Sequence, residues 1–453
     1  MSSVRRLVAA TTAAALCLVA AGCTSGAEDP APSPSPTASA SSPSAAGPVN
    51  LSFAVYGNNS QIEAYVDLAD AFTKSNANVT VNVQRSPDSG AAMNKLASST
   101  ASGTTPDVFL MEHRDLPMLM AEQRIQPVDQ LLVDREVDFG DGFQRAGLEA
   151  FSADTALQCM PHDVSPLVVY YNKDLLNPRS VVEDTEGTMV AEDGWTWEEF
   201  ARAARQVAHG RVKGVYIEPD LEQLAPFIWS GGGELVDDVA APTTLTLSEG
   251  DTRAALEEVL TLARDPQVTP TREELERKSA ISRFKQGRIG MILGAREITP
   301  SLRKAADLDF EVMPLPTLGA YRTIAPMSGY CVSSRTENLE AAADFLEFAV
   351  SREGATITTT GGYVVPSNLQ VAHSPAFIQP VEDPKNSFVF NEGVRRAEQL
   401  PRVREWPEVT DEVRPLLERL FYAPVIDLDT ILENIDKVSE PILTPPEESP
   451  AAE

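Results

Sequence analysis

The sequence predicts an α/β protein of two lobes or domains with a helical C-terminus. Its 453 residues are two to three times what one ordinary core requires. From residue 49 onward, segments of period two alternate with segments of helical period, the pattern of βαβ units around a largely parallel sheet. Beyond Pro375 the apolar spacing turns helical. Hydrophobic residues make up 43% and charged residues 23%, which are globular proportions, and disorder-like composition is confined to the two ends.

In chain order, Arg5 and Arg6 precede an apolar segment, Leu7 to Gly22, too short to span a bilayer, and residues 1–22 read as a signal peptide. Ala20, Ala21 and Gly22 are small enough for a peptidase pocket, and Cys23 after them resembles the modified cysteine of a bacterial lipoprotein. Ala20 stands where many such signals carry Leu, which leaves an unmodified secreted form as the alternative. Two acyl chains carried by Cys23 would anchor the protein where one would be marginal. Thr24 to Pro48 holds six prolines among Ser, Ala and Thr and no Leu, Ile, Val or Phe, so residues 23–48 form a lipidated cysteine and a disordered spacer.

The first strand is expected over Val49 to Gly57. Ser60 and Glu63 fit a capping box, with Ile62, Tyr65, Leu68, Ala69 and Phe72 on one helical face. A strand at Val79 to Gln84, a helix around Met93 to Ser99 and a buried strand at Pro106 to Glu112 complete βαβαβ. Further strands are expected at Pro166 to Asn172, Arg288 to Gly294, Phe310 to Pro316 and Gly329 to Ser334. A helix starts in "WTWEEF", where Thr196 caps with Glu199 and Trp195 staples onto Phe200, so Trp195 reads as a staple rather than a ligand platform. Thr252 to Arg264 and Leu339 to Val350 are amphipathic helices, the latter stopped by Gly354. Residues 444–453 trail off as a disordered tail.

Composition excludes several function classes. With 66 acidic against 37 basic residues, the net charge of −29 repels phosphate backbones, so nucleic acid is a poor partner. The four histidines, His113, His162, His209 and His373, are widely spaced without HExxH or Cys/His pairs, and no metal or cofactor is expected. No G-x-S-x-G elbow, Walker loop or Rossmann glycine run is present. "IDLDTILEN" has no glycine at the sixth loop position and is not a calcium hand. Paired carboxylates for glycan hydrolysis leave no local spacing rule, so that enzyme class stays open as an alternative. With Cys17 in the signal and Cys23 lipidated, Cys159 and Cys331 remain in an oxidising compartment, either bridged or packed as two reduced apolar groups.

The order of "LSFAVYGNN", "ASGTTPDVFLME", "CMPHDVSPLVVYYNKDLL", "WTWEEF", "WSGGGEL", "FKQGRIGMILGARE", "EVMPLPT", "SGYCVSS" and "TTGGYVVPS" resembles the extracellular solute-binding proteins of bacterial ABC importers, in their carbohydrate-binding branch, from about Val49 to Leu443. The resemblance implies a periplasmic-binding-protein-like fold with a ligand cleft between two lobes that close on a hinge. Lobe one would take residues 49–161 and 317–373, and lobe two 162–316 and 374–443. Both cysteines would lie near the crossovers, so a bridge between them would staple neighbouring strands and leave the hinge free.

A sugar offers hydroxyls at its rim and C–H patches on its faces, and so wants fixed polar groups and aromatic rings. Carried over by position, the resemblance implies ligand contacts from Tyr56, Asn58 and Asn59 after the first strand. It adds Glu112 and His113 after "PDVFLM", Asp163 in "PHD", and Trp229 with the amides of Gly231 and Gly232. Tyr330, Tyr363 and Trp406 complete the set. Bland readings stand beside these: a buried hinge ion pair for Asp163, helix capping for Glu112, core packing for Trp229 and interfaces for the tyrosines. Where many relatives carry a tryptophan after the "MILG" strand, this chain has Arg296 and Glu297. Arg296 would either fork onto an acidic group of the ligand or pair with Glu297 or another acid as structure, the second being favoured.

The function implied is non-enzymatic. A monomeric lipoprotein on the outer face of the cytoplasmic membrane captures a mono- or oligosaccharide and delivers it to an ABC permease. The alternatives are a secreted lipoprotein glycan hydrolase and a ligand-loaded sensor for a membrane receptor.

Overall fold

The computed structural model describes residues 47–178 and 194–444. The signal peptide, Cys23 and nearly all of the spacer and the tail lie outside the described residues. The strands are β1 (Val49–Tyr56), β2 (Val79–Ser86), β3 (Val108–Glu112) and β4 (Ile125–Gln126), then a small hairpin of β5 (Ser152–Ala153) and β6 (Ala156–Leu157). They continue as β7 (Met160–Val164), β8 (Val168–Asn172), β9 (Lys213–Tyr216), β10 (Ile289–Gly294) and β11 (Phe310–Met313). The last are β12 (Thr323–Ile324), β13 (Met327–Ser333) and β14 (Ala397–Glu398).

Two sheets form two lobes. The first runs β2-β1-β3-β13-β4, with β7 also paired to β13, and the second runs β11-β8-β10-β9. The expectation of largely parallel sheets is corrected. β1 pairs parallel with β2 and β3, and β9 pairs parallel with β10. β13 runs antiparallel to β3, β4 and β7, and β8 runs antiparallel to β10 and β11. β8 and β13 are the strands by which the chain enters one lobe from the other, and a strand that returns from a neighbouring lobe is not bound to the parallel direction of a βαβ crossover.

Alternation along the second sheet divides its side chains between two cores. Val168, Tyr170, Ile292, Phe310 and Val312 join the cluster that also fills the first lobe. Val169, Tyr171, Val215, Met291, Leu293 and Met313 join the other cluster, on the opposite face. That second core is closed by the helices Trp406–Tyr422 and Leu428–Leu443, through Val409, Val413, Leu417 and Leu420 and through Ile431, Leu432 and Ile435. These spacings are the three- and four-residue steps of one helical face. The helical C-terminus was legible for this reason.

Short crossing segments join the two sheets. β7 pairs with β13 of the first sheet through Val164, so His162 and Asp163 lie in lobe one, and the crossing starts at Ser165. Thr317 to Tyr321 stays with lobe two, because Leu318 N–H donates to Ser230 Oγ and Ala320 N–H to the Ser230 carbonyl. The two crossings run side by side, with Ser165 N–H donating to Pro326 O at 3.0 Å and Leu167 N–H to Ile324 O at 2.8 Å. A third joins them where β14 pairs parallel with β12.

Local signals held in part. Thr196 caps the Trp197–Val207 helix in a reciprocal box with Glu199, and Trp195 meets Phe200 with ring centroids 5.2 Å apart. The first helix begins earlier than expected, over Asn59–Ser75, and its box is Asn58 with Gln61 rather than Ser60 with Glu63. Both pairs have the required spacing of three, and the β1 exit decides between them. The Leu339–Val350 helix ends at Ser351, which caps a following helix, Arg352–Thr360, that contains Gly354.

Cys159 and Cys331 are bridged, with Cα atoms 4.5 Å apart. Cys331 lies in β13, and Cys159 immediately precedes its partner strand β7, so the bridge lies within lobe one.

Candidate functional site

Between the lobes lies a cavity of about 470 Å3. Lobe one lines it with Met93 of the helix Ser89–Ser102 and with Glu112, His113, Arg114 and Asp115, at and just beyond the C-terminal end of β3. Glu222 of the Leu221–Ser230 helix faces them from lobe two. Ile324 to Met327 of one crossing form the hinge side. Gln399 to Arg402, and Trp406, Thr410, Asp411 and Arg414 from the first turns of the long C-terminal helix, complete the wall.

A pocket of about 260 Å3 adjoins it in lobe two and shares Glu222, Ile324 and Pro326 with it. Its wall is made by the C-terminal ends of β9 and β10: Tyr216, Glu218 and Asp220 after one, and Gly294, Ala295, Glu297 and Ile298 after the other. Ligands of open α/β sheets gather at such strand ends, where side chains of several loops converge. A third groove, of about 870 Å3, meets the main cavity at Gln399, Leu400 and Arg402 and carries Trp229 and Gly232.

Electrostatics single out the carboxylates. Arg114 joins Glu112 at 2.5 Å and reaches Glu222 Oε1 at 3.4 Å, an ion pair that spans the two lobes. Burial pushes Asp115 up to about 6, with Glu112 adding repulsion. Burial likewise raises Asp220 to about 7, helped by Glu218 and Glu222 and opposed by the Gln223 N–H that it caps at 2.7 Å. Glu222, half-buried, is raised too, burial being the first cause. His113 is held neutral, pushed down to about 4 by burial and then by Arg114 and Arg402. The site therefore mixes acceptors, fixed guanidinium donors and one nearly buried indole, a chemistry suited to hydroxyl-rich guests.

The residues expected from the sequence divide sharply. Glu112, His113 and Trp406 come together in the main cavity. Tyr56 ends β1 close enough to Glu112 and Asp115 for their charges, after burial itself, to raise its hydroxyl well above the ordinary value. Asn58 is committed to its helix, accepting from Ser60 N–H and Gln61 N–H, and Asn59 is exposed in the first helical turn. Trp229 and Gly232 lie in the larger groove. The amides of Gly231 and Gly232 donate to Phe227 and Ile228 and to Trp229 respectively, closing the helix end.

Four expected contacts point elsewhere. Asp163 Oδ1 accepts from Ser165 Oγ at 2.6 Å and from Val365 N–H at 2.7 Å, locking the start of a crossing with hydrogen bonds rather than an ion pair. Burial raises this carboxyl to about 7. Tyr330 is 0% exposed, packed edge-on to Phe53 and against His162, and Tyr363 is 6% exposed. Arg296 is also 0% exposed, and among the described residues it forms no salt bridge with Glu297 or another acid. It donates to Ser387 Oγ at 3.0 Å and to Phe377 O and Gln379 Oε1 at 3.4 Å, and its guanidinium lies 5.0 and 5.1 Å from the Phe377 and Phe390 ring centroids.

Arg114, Asp115, Glu218, Asp220, Glu222, Asp411 and Arg414 were not singled out from the sequence. A usable signal existed for the middle three: "IEPDLE" directly follows the strand "KGVY", and polar groups just past a strand end face a cleft. The strand itself is only four residues long, too short for a period of two to stand out in the sequence.

A family model described as bacterial extracellular solute-binding protein matches residues 67–385. No curated protein matches the chain. Among solved structures, the ABC substrate-binding protein Lmo0181 of Listeria monocytogenes in complex with cycloalternan superposes with a TM-score of 0.74 at 19% identity, over 86% of this chain and 98% of that one. The sugar-binding protein MalE of Xanthomonas citri gives 0.74 at 19%, over 87% and 97%. The maltotriose binding protein of Thermus thermophilus, bound with maltotriose, gives 0.69 at 18%, over 87% and 100%.

Proposed function

The chain belongs to the bacterial extracellular solute-binding proteins, exported proteins that bind rather than transform their guests, and on that premise we propose that it captures a saccharide between its lobes. The observation that carries this reading is the cavity itself. It sets charged side chains into a largely apolar wall, lies at the hinge, is crossed by the Arg114–Glu222 pair and has the Trp406 ring in its wall. Hydroxyls of the guest exchange hydrogen bonds with Glu112, His113, Arg114 and Asp411, and an apolar sugar face lies on Trp406. Closure brings the groups of the two lobes to the guest together, and the guest leaves unaltered. The sugars bound by the superposed structures, cycloalternan and maltotriose, support the class.

The residues ahead of the folded body support a membrane-tethered form. Cys23 after an apolar leader carries two acyl chains, the proline-rich spacer lifts the body from the outer face of the cytoplasmic membrane, and a monomer hands its guest to an ABC permease. Calorimetric titration of a saccharide library tests the capture. Stoichiometric binding with the sugar recovered intact is expected, with affinity on the order of micromolar. Sugar recovered cleaved, or no saccharide bound, overturns it.

A further inference from the structure

The interlobe cavity holds polar atoms that the protein itself leaves unsatisfied. Among the described residues, ten buried polar side-chain atoms have no hydrogen-bond partner. Two of them, His113 Nδ1 and Gln399 Nε2, belong to residues in the wall of this cavity, and the other eight belong to residues outside it. A buried donor or acceptor without a partner lowers the stability of the folded chain, and a guest that supplies the partner recovers the loss.

Gln399 directly follows β14 in the third crossing, where the cavity meets the larger groove. The backbone on either side of it is tied down. Glu398 pairs with Arg322 at 3.2 Å, and Arg402 Nη1 donates to the Glu149 and Ala150 carbonyls at 3.1 and 3.0 Å. Between these anchors the Gln399 carboxamide forms no hydrogen bond with the described residues. The last torsion of a glutamine is broad and two-fold, so an untethered carboxamide turns either its NH2 group or its oxygen towards a guest at little cost.

His113 puts a free acceptor in the same wall. Its ring bonds to the Met327 backbone, and burial, Arg114 and Arg402 all keep it from taking a second proton. With Nδ1 unpartnered, the ring proton belongs on Nε2 and Nδ1 keeps its lone pair. A donor that turns either way and an acceptor that cannot be protonated at neutral pH are both matched by hydroxyls, which donate and accept at once.

We propose that Gln399 is a specificity-determining residue whose carboxamide hydrogen-bonds a hydroxyl of the captured saccharide. This rests on the capture reading and names a group that discriminates between saccharides. A site built to hydrogen-bond a hydroxyl rejects an analogue that lacks it, because the buried group is then left unpaired.

The test combines calorimetric titration of a saccharide library with thermal melting of the ligand-free protein, for the native chain, Gln399→Leu and Gln399→Ala. Both variants are expected to bind each captured saccharide about tenfold weaker, while Gln399→Leu melts no lower than the native protein. For the tightest saccharide found, one monodeoxy analogue is expected to bind the native protein about tenfold weaker than the parent sugar, and to bind Gln399→Leu as well as the parent does. Gln399→Leu melting several degrees lower makes the carboxamide a structural group and overturns the assignment. So does unchanged affinity in both variants, or a loss that adds to that of every monodeoxy analogue, and each of these leaves saccharide capture standing. No saccharide bound by the native protein overturns both readings.

Discussion

Arg296 shows how one buried cation is accommodated without a carboxylate. Among the described residues its partners are a hydroxyl, a carbonyl, an amide oxygen and two aromatic faces, and burial lowers it only to about 10, so it stays charged at neutral pH. Asp220 is the opposite case. Its folded-state value of about 7 lies above the ordinary 3.8, so the native state holds the proton more tightly than the unfolded chain does. Stability from this group is therefore intact near pH 4, falls as pH rises, and is lowest above pH 7. Asp220→Asn, which keeps the helix cap, is expected to raise the melting temperature by a few degrees at pH 8 and by nothing near pH 4, read by calorimetry across pH. At Asp163 the same burial serves a hinge. Asp163→Ala is expected to lower stability by about 1–3 kcal/mol in chemical denaturation, through the lost bonds from Val365 N–H and Ser165 Oγ, while Asp163→Asn keeps an acceptor and loses less. A carboxylate in "PHD" was visible in the sequence. Which way it points was not, because the answer depends on Val365, 202 residues further on.

Elements were read best where the signal is short in range. The staple and box at Trp195 to Phe200, the face of the first helix and the C-terminal amphipathic helices all follow from residues three or four apart. Short strands such as β9, and the choice between two overlapping caps, are set by what the chain does on either side. Asn58 illustrates the functional cost of that ambiguity, since the residue expected on a sugar rim is spent on a cap. Asn58→Ala is expected to cost about 1 kcal/mol by urea denaturation and to leave saccharide affinity unchanged in the same preparation. A large loss of affinity with no loss of stability would return Asn58 to the site.

At the scale of the molecule, two sheets share crossings whose hydrogen bonds run strand to strand, and the cleft opens beside them. The bridge between Cys159 and Cys331 spans 172 residues of sequence, which include most of lobe two, yet ties strands of lobe one only. Replacing both cysteines by serine is expected to cost on the order of 3–5 kcal/mol in denaturation, through the freed loop of the unfolded chain, with ligand affinity changed less than about twofold. Saccharide binding is expected to shrink the radius of gyration in X-ray scattering, as the lobes close on their crossings. An unchanged radius with a saturating sugar would remove closure from the account.

The sequence by itself determined the α/β class, the two lobes and the helical end, because period, capping and length are local or additive properties of the chain. It also narrowed the cysteines to one pair, Cys159 and Cys331. Only the tertiary structure decided that the pair is bridged, which strands run antiparallel and which polar groups share a cavity. Those outcomes depend on segments far apart in sequence meeting across crossings. Glu112, Asp220, Glu297 and Trp406 have no spacing in common, and what unites them is that β3, β9, β10 and the last long helix end at one cleft.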